Sequence, residues 1–149
     1  MKNEFEDWEV EFYADGSGRE PCRAWMGTLT SQQRIALEEA IRLVLARRGL
    51  AVVETEFGKA LGGGLYEFRL RWSAAEVQRK VEGVAAEAVA KAEKIMLRVF
   101  FCTSGRKIIL LLSGYDKARN SGKTRQDREI AQARRLLTAH QEAERRRNR

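Results

Sequence analysis

The sequence predicts an α+β fold: a small antiparallel or mixed sheet of about four strands, two N-terminal helices packed on it, a C-terminal helix, and a helical insert between strands 2 and 3. Three observations carry this. Two helical segments follow the first apolar-alternating run instead of alternating with strands. Three further runs of strand character come late in the chain. Between the first two of these, residues 73–95 change to helical spacing. At 149 residues the chain suits one compact domain, residues 1–149, with a modest core and no visible internal repeat.

Residues 8–13, Trp8-Glu9-Val10-Glu11-Phe12-Tyr13, read as the first strand, and Asp15-Gly16-Ser17-Gly18 as a turn. Residues 19–26 make a short helix. Thr30 or Ser31 caps a long one that ends near Gly49, with Ile35, Leu37, Ala40, Ile41, Val44 and Leu45 as its apolar stripe. In residues 65–72, Tyr66, Phe68, Leu70 and Trp72 alternate with Glu67, Arg69 and Arg71, the period of a half-buried strand. Residues 96–102 are β-branched and aromatic with a single charge, Arg98. Residues 108–112 form an unbroken apolar run, buried on both faces and joined to the preceding strand through the turn at 103–107. A basic connector, Gly114-Tyr115-Asp116-Lys117, then leads to a C-terminal helix around residues 125–130, with a basic tail at 139–149.

In the insert, Ser73 and Glu76 have capping-box spacing. Val77, Val81, Val84 or Ala85, Ala88, Ala92 and Ile95 recur at helical intervals, and Glu76/Lys80 and Glu87/Lys91 are i,i+4 pairs. A single helix of this length would reach roughly 33 Å, yet the flanking strands should be antiparallel neighbours. A break at Gly83 is therefore expected, giving two short helices or a helix with an extended return. The insert is either a decorated hairpin or, because so alanine-rich a stripe needs something to pack against, a surface for self-association or a partner.

Charge is unevenly spread. Residues 1–64 hold eight Lys/Arg and eleven Asp/Glu, a net of −3; residues 65–149 hold twenty and ten, a net of +10. The basic half fits a polyanionic partner, or else a set of solvated helix faces. No apolar run approaches the ~18 residues of a membrane helix, and the N-terminus is acidic and unlike a signal peptide. Cys22 and Cys102 stand alone, which reads as two reduced thiols near the core and a cytoplasmic protein. The one histidine, His140, reads as a solvated residue of the last helix. No Ser/His/Asp triad can be built, and no cofactor or metal site is expected.

The ordered set of these segments resembles the RelE–ParE superfamily of bacterial and phage toxins, most closely its HigB-type, phage-derived branch. The matching features are Trp8–Tyr13 in order, the helix around residues 33–48, Phe57-Gly58-Lys59-Ala60-Leu61 leading into Gly64-Leu65-Tyr66-Glu67-Phe68-Arg69, then Arg98-Val99-Phe100-Phe101. Residues 108–112, Gly114-Tyr115-Asp116-Lys117 and Glu129-Ile130-Ala131-Gln132-Ala133-Arg134 complete it. Roughly residues 8–138 are covered, and the 73–95 insert departs from the family, whose connection there is short. No single motif is distinctive; the order is.

The resemblance implies the toxin of a type II toxin–antitoxin system, an endoribonuclease (mRNA interferase) acting on the ribosome without a metal. In that chemistry the RNA's own 2′-OH attacks the adjacent phosphate. The step needs a group to take the 2′ proton, cations for the phosphorane, and a donor for the 5′ oxygen; the ribosome provides positioning. By the same resemblance Lys59 stands where an active-site lysine is common, Arg69 and Arg98 at phosphate-clamping positions, and Tyr115 where an aromatic catalytic side chain is found. Arg71, Lys117, Arg119, Lys123 and Arg125 would contact the RNA backbone, with help from the arginine-rich tail. A lysine base would need its pKa lowered, which nearby Arg69 and Arg98 would do. The implied partners are mRNA, the ribosome, and a separately encoded antitoxin of helix-turn-helix type.

Each residue also has a structural reading: Lys59 as a solvated loop lysine, Arg69 paired with Glu67 or Glu54, Arg98 paired with Glu93, Tyr115 as a half-buried edge residue. The other functional readings are a ParE-like toxin that inhibits a protein target such as gyrase, and a catalytically inactive phage or prophage protein of the same fold.

Overall fold

The computed structural model describes residues 7–82, 95–119 and 121–148. Five strands, β1 (Glu9–Phe12), β2 (Gly58–Gly62), β3 (Leu65–Leu70), β4 (Leu97–Ser104) and β5 (Ile108–Asp116), form one sheet in the order β1-β5-β4-β3-β2. β1 runs parallel to β5, and every other pair is antiparallel. The fold is α+β with a mixed sheet, as the sequence predicts, with one strand more. That strand is β2, in a stretch whose two glycines and lack of alternation read as loop. It pairs with β3 through a tight turn at Gly63 and Gly64, whose φ values of 65° and 88° are both left-handed, as a two-residue hairpin of this kind requires.

Among the described residues five α-helices, a π-helical turn and a 3-10 segment (Gly49–Glu54) accompany the sheet. α1 (Pro21–Met26) opens on a proline, favoured where the first N–H has no partner anyway. α2 (Ser31–Ala40) starts at Thr30, whose side chain accepts from the Gln33 N–H while the Gln33 amide oxygen accepts from the Thr30 N–H, a full capping box. It continues through a π-helical turn (Ile41–Leu45), where the Ala46 N–H reaches back to the Ile41 carbonyl, into α3 (Ala46–Arg48). The buried positions are Gln33, Ala36, Leu37, Ala40 and then Leu43, Val44 and Leu45; Ile35, expected on the stripe, is 56% exposed. Gln33 takes the core-facing position instead, because its amide donates 2.8 Å to buried Asp116.

α4 (Ala74–Glu82) lies at the start of the insert, capped as expected by reciprocal Ser73–Glu76 hydrogen bonds. It packs on α2, and Val77 is fully buried in the main core. Lys80 does not pair with Glu76: it bridges 2.8 Å to Glu56 and lies 4.4 Å over the Trp72 ring. The break at Gly83, the Glu87/Lys91 pair and the return lie outside the described residues.

α5 (Lys123–Arg147) is a single 25-residue helix that absorbs most of the expected tail. It covers the sheet face opposite α1 and α2, so the sheet is sandwiched. The larger cluster joins α1, α2 and α4 to Phe68, Leu70, Leu97, Val99, Phe101, Ile109 and Leu111. The smaller joins Ala133 and Leu137 of α5 to Leu65, Phe100, Cys102, Leu110, Leu112 and Tyr115. Leu110 and Tyr115 are five residues apart and would face opposite ways on a regular strand. The register of β5 against β4 slips by one at Leu112, since Phe100 pairs with Ser113 and Phe101 with Leu111, and this bulge turns both side chains toward α5.

α5 is pinned at several points. Arg134 donates to the Gly62 and Leu61 carbonyls at 3.0 and 2.8 Å, and Ser104 bonds Glu144 at 2.8 Å. His140 is not solvated: it lies on the buried face of α5, edge-on to Tyr13 at 6.1 Å, with Nε2 3.4 Å from Glu144. Cys22 and Cys102 are both buried free thiols, each pushed up to about 12 by burial. Among the described residues no helix is long and apolar enough to cross a membrane.

Candidate functional site

The strand register brings three of the expected residues into one line. Arg69 on β3 lies directly opposite Arg98 on β4, which lies directly opposite Tyr115 on β5. Directly opposed residues in antiparallel strands share a face, so all three point to the α5 side. The row below it holds Glu67, Phe100 and Ser113, with Lys59 of β2 opposite Glu67.

Glu67 organises the row above it. It is 0% exposed, and its Oε1 accepts from Arg69 Nε at 2.7 Å and stands 3.9 Å from Arg98 Nε. Arg98 is 1% exposed, whereas the Arg69 side chain keeps 22% of its surface in solvent. Two guanidinium groups thus share one buried carboxylate, leaving net positive charge under α5. Burial lowers the Arg98 pKa from its ordinary value, Glu67 opposes this, and Arg69 and Arg71 add to it. Among the described residues, Glu67 Oε2, Arg98 Nη1, Ser113 Oγ and the Tyr115 hydroxyl have no hydrogen-bond partner although all are buried. So dense a group of unpartnered polar atoms is uncommon in a core and marks the region as more than packing.

Tyr115 is 2% exposed, stacked 6.1 Å from Phe100. Burial raises its pKa and Glu67 raises it further, so the phenol stays protonated. Lys117, two residues on and half-buried, is the lysine beside the arginines. Burial lowers its pKa, and Arg98, Arg69 and Arg71 lower it as well. Lys59, to which the sequence assigned that place, is on strand β2 and not on a loop, and it is exposed. Its position opposite Glu67 is one row away from the Arg69–Arg98–Tyr115 line.

The remaining cations form a rim. Arg71 is exposed just beyond the end of β3 and acts electrostatically on both Arg98 and Lys117. Arg125 pairs with Glu129 at 3.0 Å in the first turns of α5, near the Tyr115 hydroxyl. Arg119 is exposed after β5 and Lys123 is exposed at the start of α5. Arg69 does pair with Glu67, one of its two structural readings, while Glu93, the alternative partner for Arg98, lies outside the described residues.

The sequence did not mark Glu67 and Ser113, which share a row beside the Arg69–Arg98–Tyr115 line, as members of the site. Glu67 faces inward; Asp116 points to the opposite face, where it accepts from Gln33 and from the Ala118 N–H. One signal was present: an acid two residues before an arginine, inside a strand otherwise lined by aromatics, has little reason to be there unless it is paired. No family model matches this chain, and no curated protein matches it in sequence.

Proposed function

We propose that the chain is the toxin of a type II toxin–antitoxin system, of the RelE–ParE kind that its sequence resembles, and that it cuts mRNA on the ribosome by 2′-OH attack on the adjacent phosphate. The observation that carries this is the line Arg69–Arg98–Tyr115 with Lys117 at its open end. Arg69 and Arg71, the accessible cations, neutralise the non-bridging oxygens as the phosphorane forms. Arg98, held beneath by Glu67, supports them from the core. Lys117, whose ammonium loses its proton more readily than a free lysine's, takes the proton of the 2′-OH. Tyr115, kept protonated, returns a proton to the 5′ oxygen; it also lines the polar cavity between β5, α1 and α5. The P–O2′ bond forms, the P–O5′ bond breaks, and the products are a 2′,3′-cyclic phosphate and a 5′-hydroxyl. This differs from the sequence expectation in giving the base to Lys117 instead of Lys59. A separate antitoxin would hold the protein inactive in the cell.

A second reading has its own support: the burial of Arg98 and Tyr115 and the neutralisation of Arg69 by Glu67 also suit strands whose cations serve the core. On that reading the protein is a ParE-like inhibitor of a protein target such as gyrase, or an inactive relative. Expression of the wild type, of Arg69→Ala/Arg98→Ala, and of the surface pair Arg71→Ala/Lys117→Met, followed by mapping of mRNA 5′ ends, separates them. In-frame cuts made by the wild type and lost in both variants support the nuclease. Growth arrest with intact mRNA favours the protein-target reading, and no growth effect favours an inactive scaffold.

A further inference from the structure

β1 stops pairing with β5 at Leu111, so the last residues of β5 have no strand on that side. A cavity of about 200 Å3 opens there, between α1, the start of α2, the end of β5 and the first turns of α5. That is below the ~300 Å3 at which drug-sized pockets begin, and suits a single planar ring system. Trp25 forms one wall, its ring lying so close on Gly114 that a Cβ there would sit 2.4 Å away. Tyr115 forms another; its buried hydroxyl has no hydrogen-bond partner among the described residues, and the charges of Glu67, Arg98, Glu129 and Arg125 all act on it.

The polar lining is mixed in sign. Arg125 is engaged with Glu129 at 3.0 Å, Asp116 brings a second carboxylate, and Arg119 stands at the cavity with no ion-pair partner among the described residues. Two carboxylates make a poor phosphate site. A neutral ring that donates on one edge and accepts on another fits better. Guanine presents two adjacent donors for a carboxylate, N1–H and N2–H2, and two acceptors for a guanidinium, O6 and N7. Adenine, cytosine and uracil all lack that adjacent donor pair.

We propose that this cavity receives a guanine base of the RNA whose phosphate lies at Arg69, Arg71 and Lys117, an inference that rests on the nuclease reading. Glu129, oriented by Arg125, accepts from the base's N1–H and N2–H2; Arg119 donates to O6 and N7; and Trp25 supplies an aromatic wall. Tyr115 then separates base from phosphate, one residue serving both halves of a nucleotide site.

The test is calorimetric titration of the full chain with the 3′-monophosphates of guanosine, adenosine, cytidine and uridine, and with inorganic phosphate. Guanosine 3′-monophosphate is expected to bind at least about tenfold more tightly than the other three, the discrimination of one bidentate base contact. Glu129→Gln should abolish that preference and leave inorganic phosphate binding within about twofold of wild type. Equal affinity for all four nucleotides, or a guanosine preference that survives Glu129→Gln, overturns the proposal. The outcomes separate from those of the mRNA map: guanosine preference with uncut mRNA keeps the base site and removes the nuclease, while cut mRNA without guanosine preference does the reverse.

Discussion

Replacing Glu67 by Gln probes the centre of the site. The substitution conserves volume and leaves an amide oxygen to accept the 2.7 Å bond from Arg69, so packing changes little. What disappears is the carboxylate that, among the described residues, pairs with Arg98, whose side chain is 1% exposed and cannot turn to solvent. Removing one member of a buried ionic group strands the other charge and costs about 3–5 kcal/mol. Arg69 keeps 22% exposure and can rehydrate, so the lower end, about 3 kcal/mol, is expected. At 2–4 °C per kcal/mol for a chain of this size, Tm should fall by roughly 6–12 °C. Urea denaturation of Glu67→Gln, Arg98→Met and the double variant measures the coupling. The double variant should lose at least about 1 kcal/mol less than the two singles together. A loss under about 1 kcal/mol for Glu67→Gln, with strictly additive energies in the double variant, would show that the carboxylate does not hold the arginines.

Lys117 gives a pH signature. Its folded pKa lies below its unfolded value, so the folded state binds fewer protons between the two; the stability penalty, present at low pH, is relieved as pH rises through the folded value toward 10.5. Wild-type stability measured from pH 8 to 10 should therefore rise relative to Lys117→Met, and cleavage, if Lys117 is the base, should rise with pH in the wild type alone. Gly114→Ala forces a Cβ to within 2.4 Å of the Trp25 ring and 2.9 Å of the Arg98 carbonyl; a loss of about 1–3 kcal/mol in denaturant titration is expected, partly restored by Trp25→Ala. Cys22 and Cys102, buried with pKa values near 12, should stay silent to a thiol reagent at pH 8 in the native protein and both react once it is unfolded.

Local signals in the chain were enough for the helix starts, the strand runs and the α+β class. Thr30, Ser73 with Glu76, and the alternation through Phe68 and Leu70 are decided by hydrogen bonds and burial within a few residues, and these stand as read. β2 was not legible, because Gly58–Gly62 becomes a strand only by pairing with β3. Ile35 left the expected stripe and Gln33 is buried instead, since the distant Asp116 makes a buried glutamine favourable. His140 looked solvated until Tyr13, more than a hundred residues earlier, was brought against it.

The site divides in the same way. Local pattern placed Arg69 and Arg98 on neighbouring strands, with Tyr115 in a connector after the next one, and made the second half of the chain strongly basic. Folding extended β5 through Tyr115, set the three in one line, put Glu67 between the arginines, and gave Lys117, not Lys59, the place beside them. The physical reason is register: a strand's side-chain direction reverses every residue, so a single extra residue at Leu112 changes which groups meet under α5. That slip costs little locally and leaves no mark in composition or period, yet it sets the chemistry of the face.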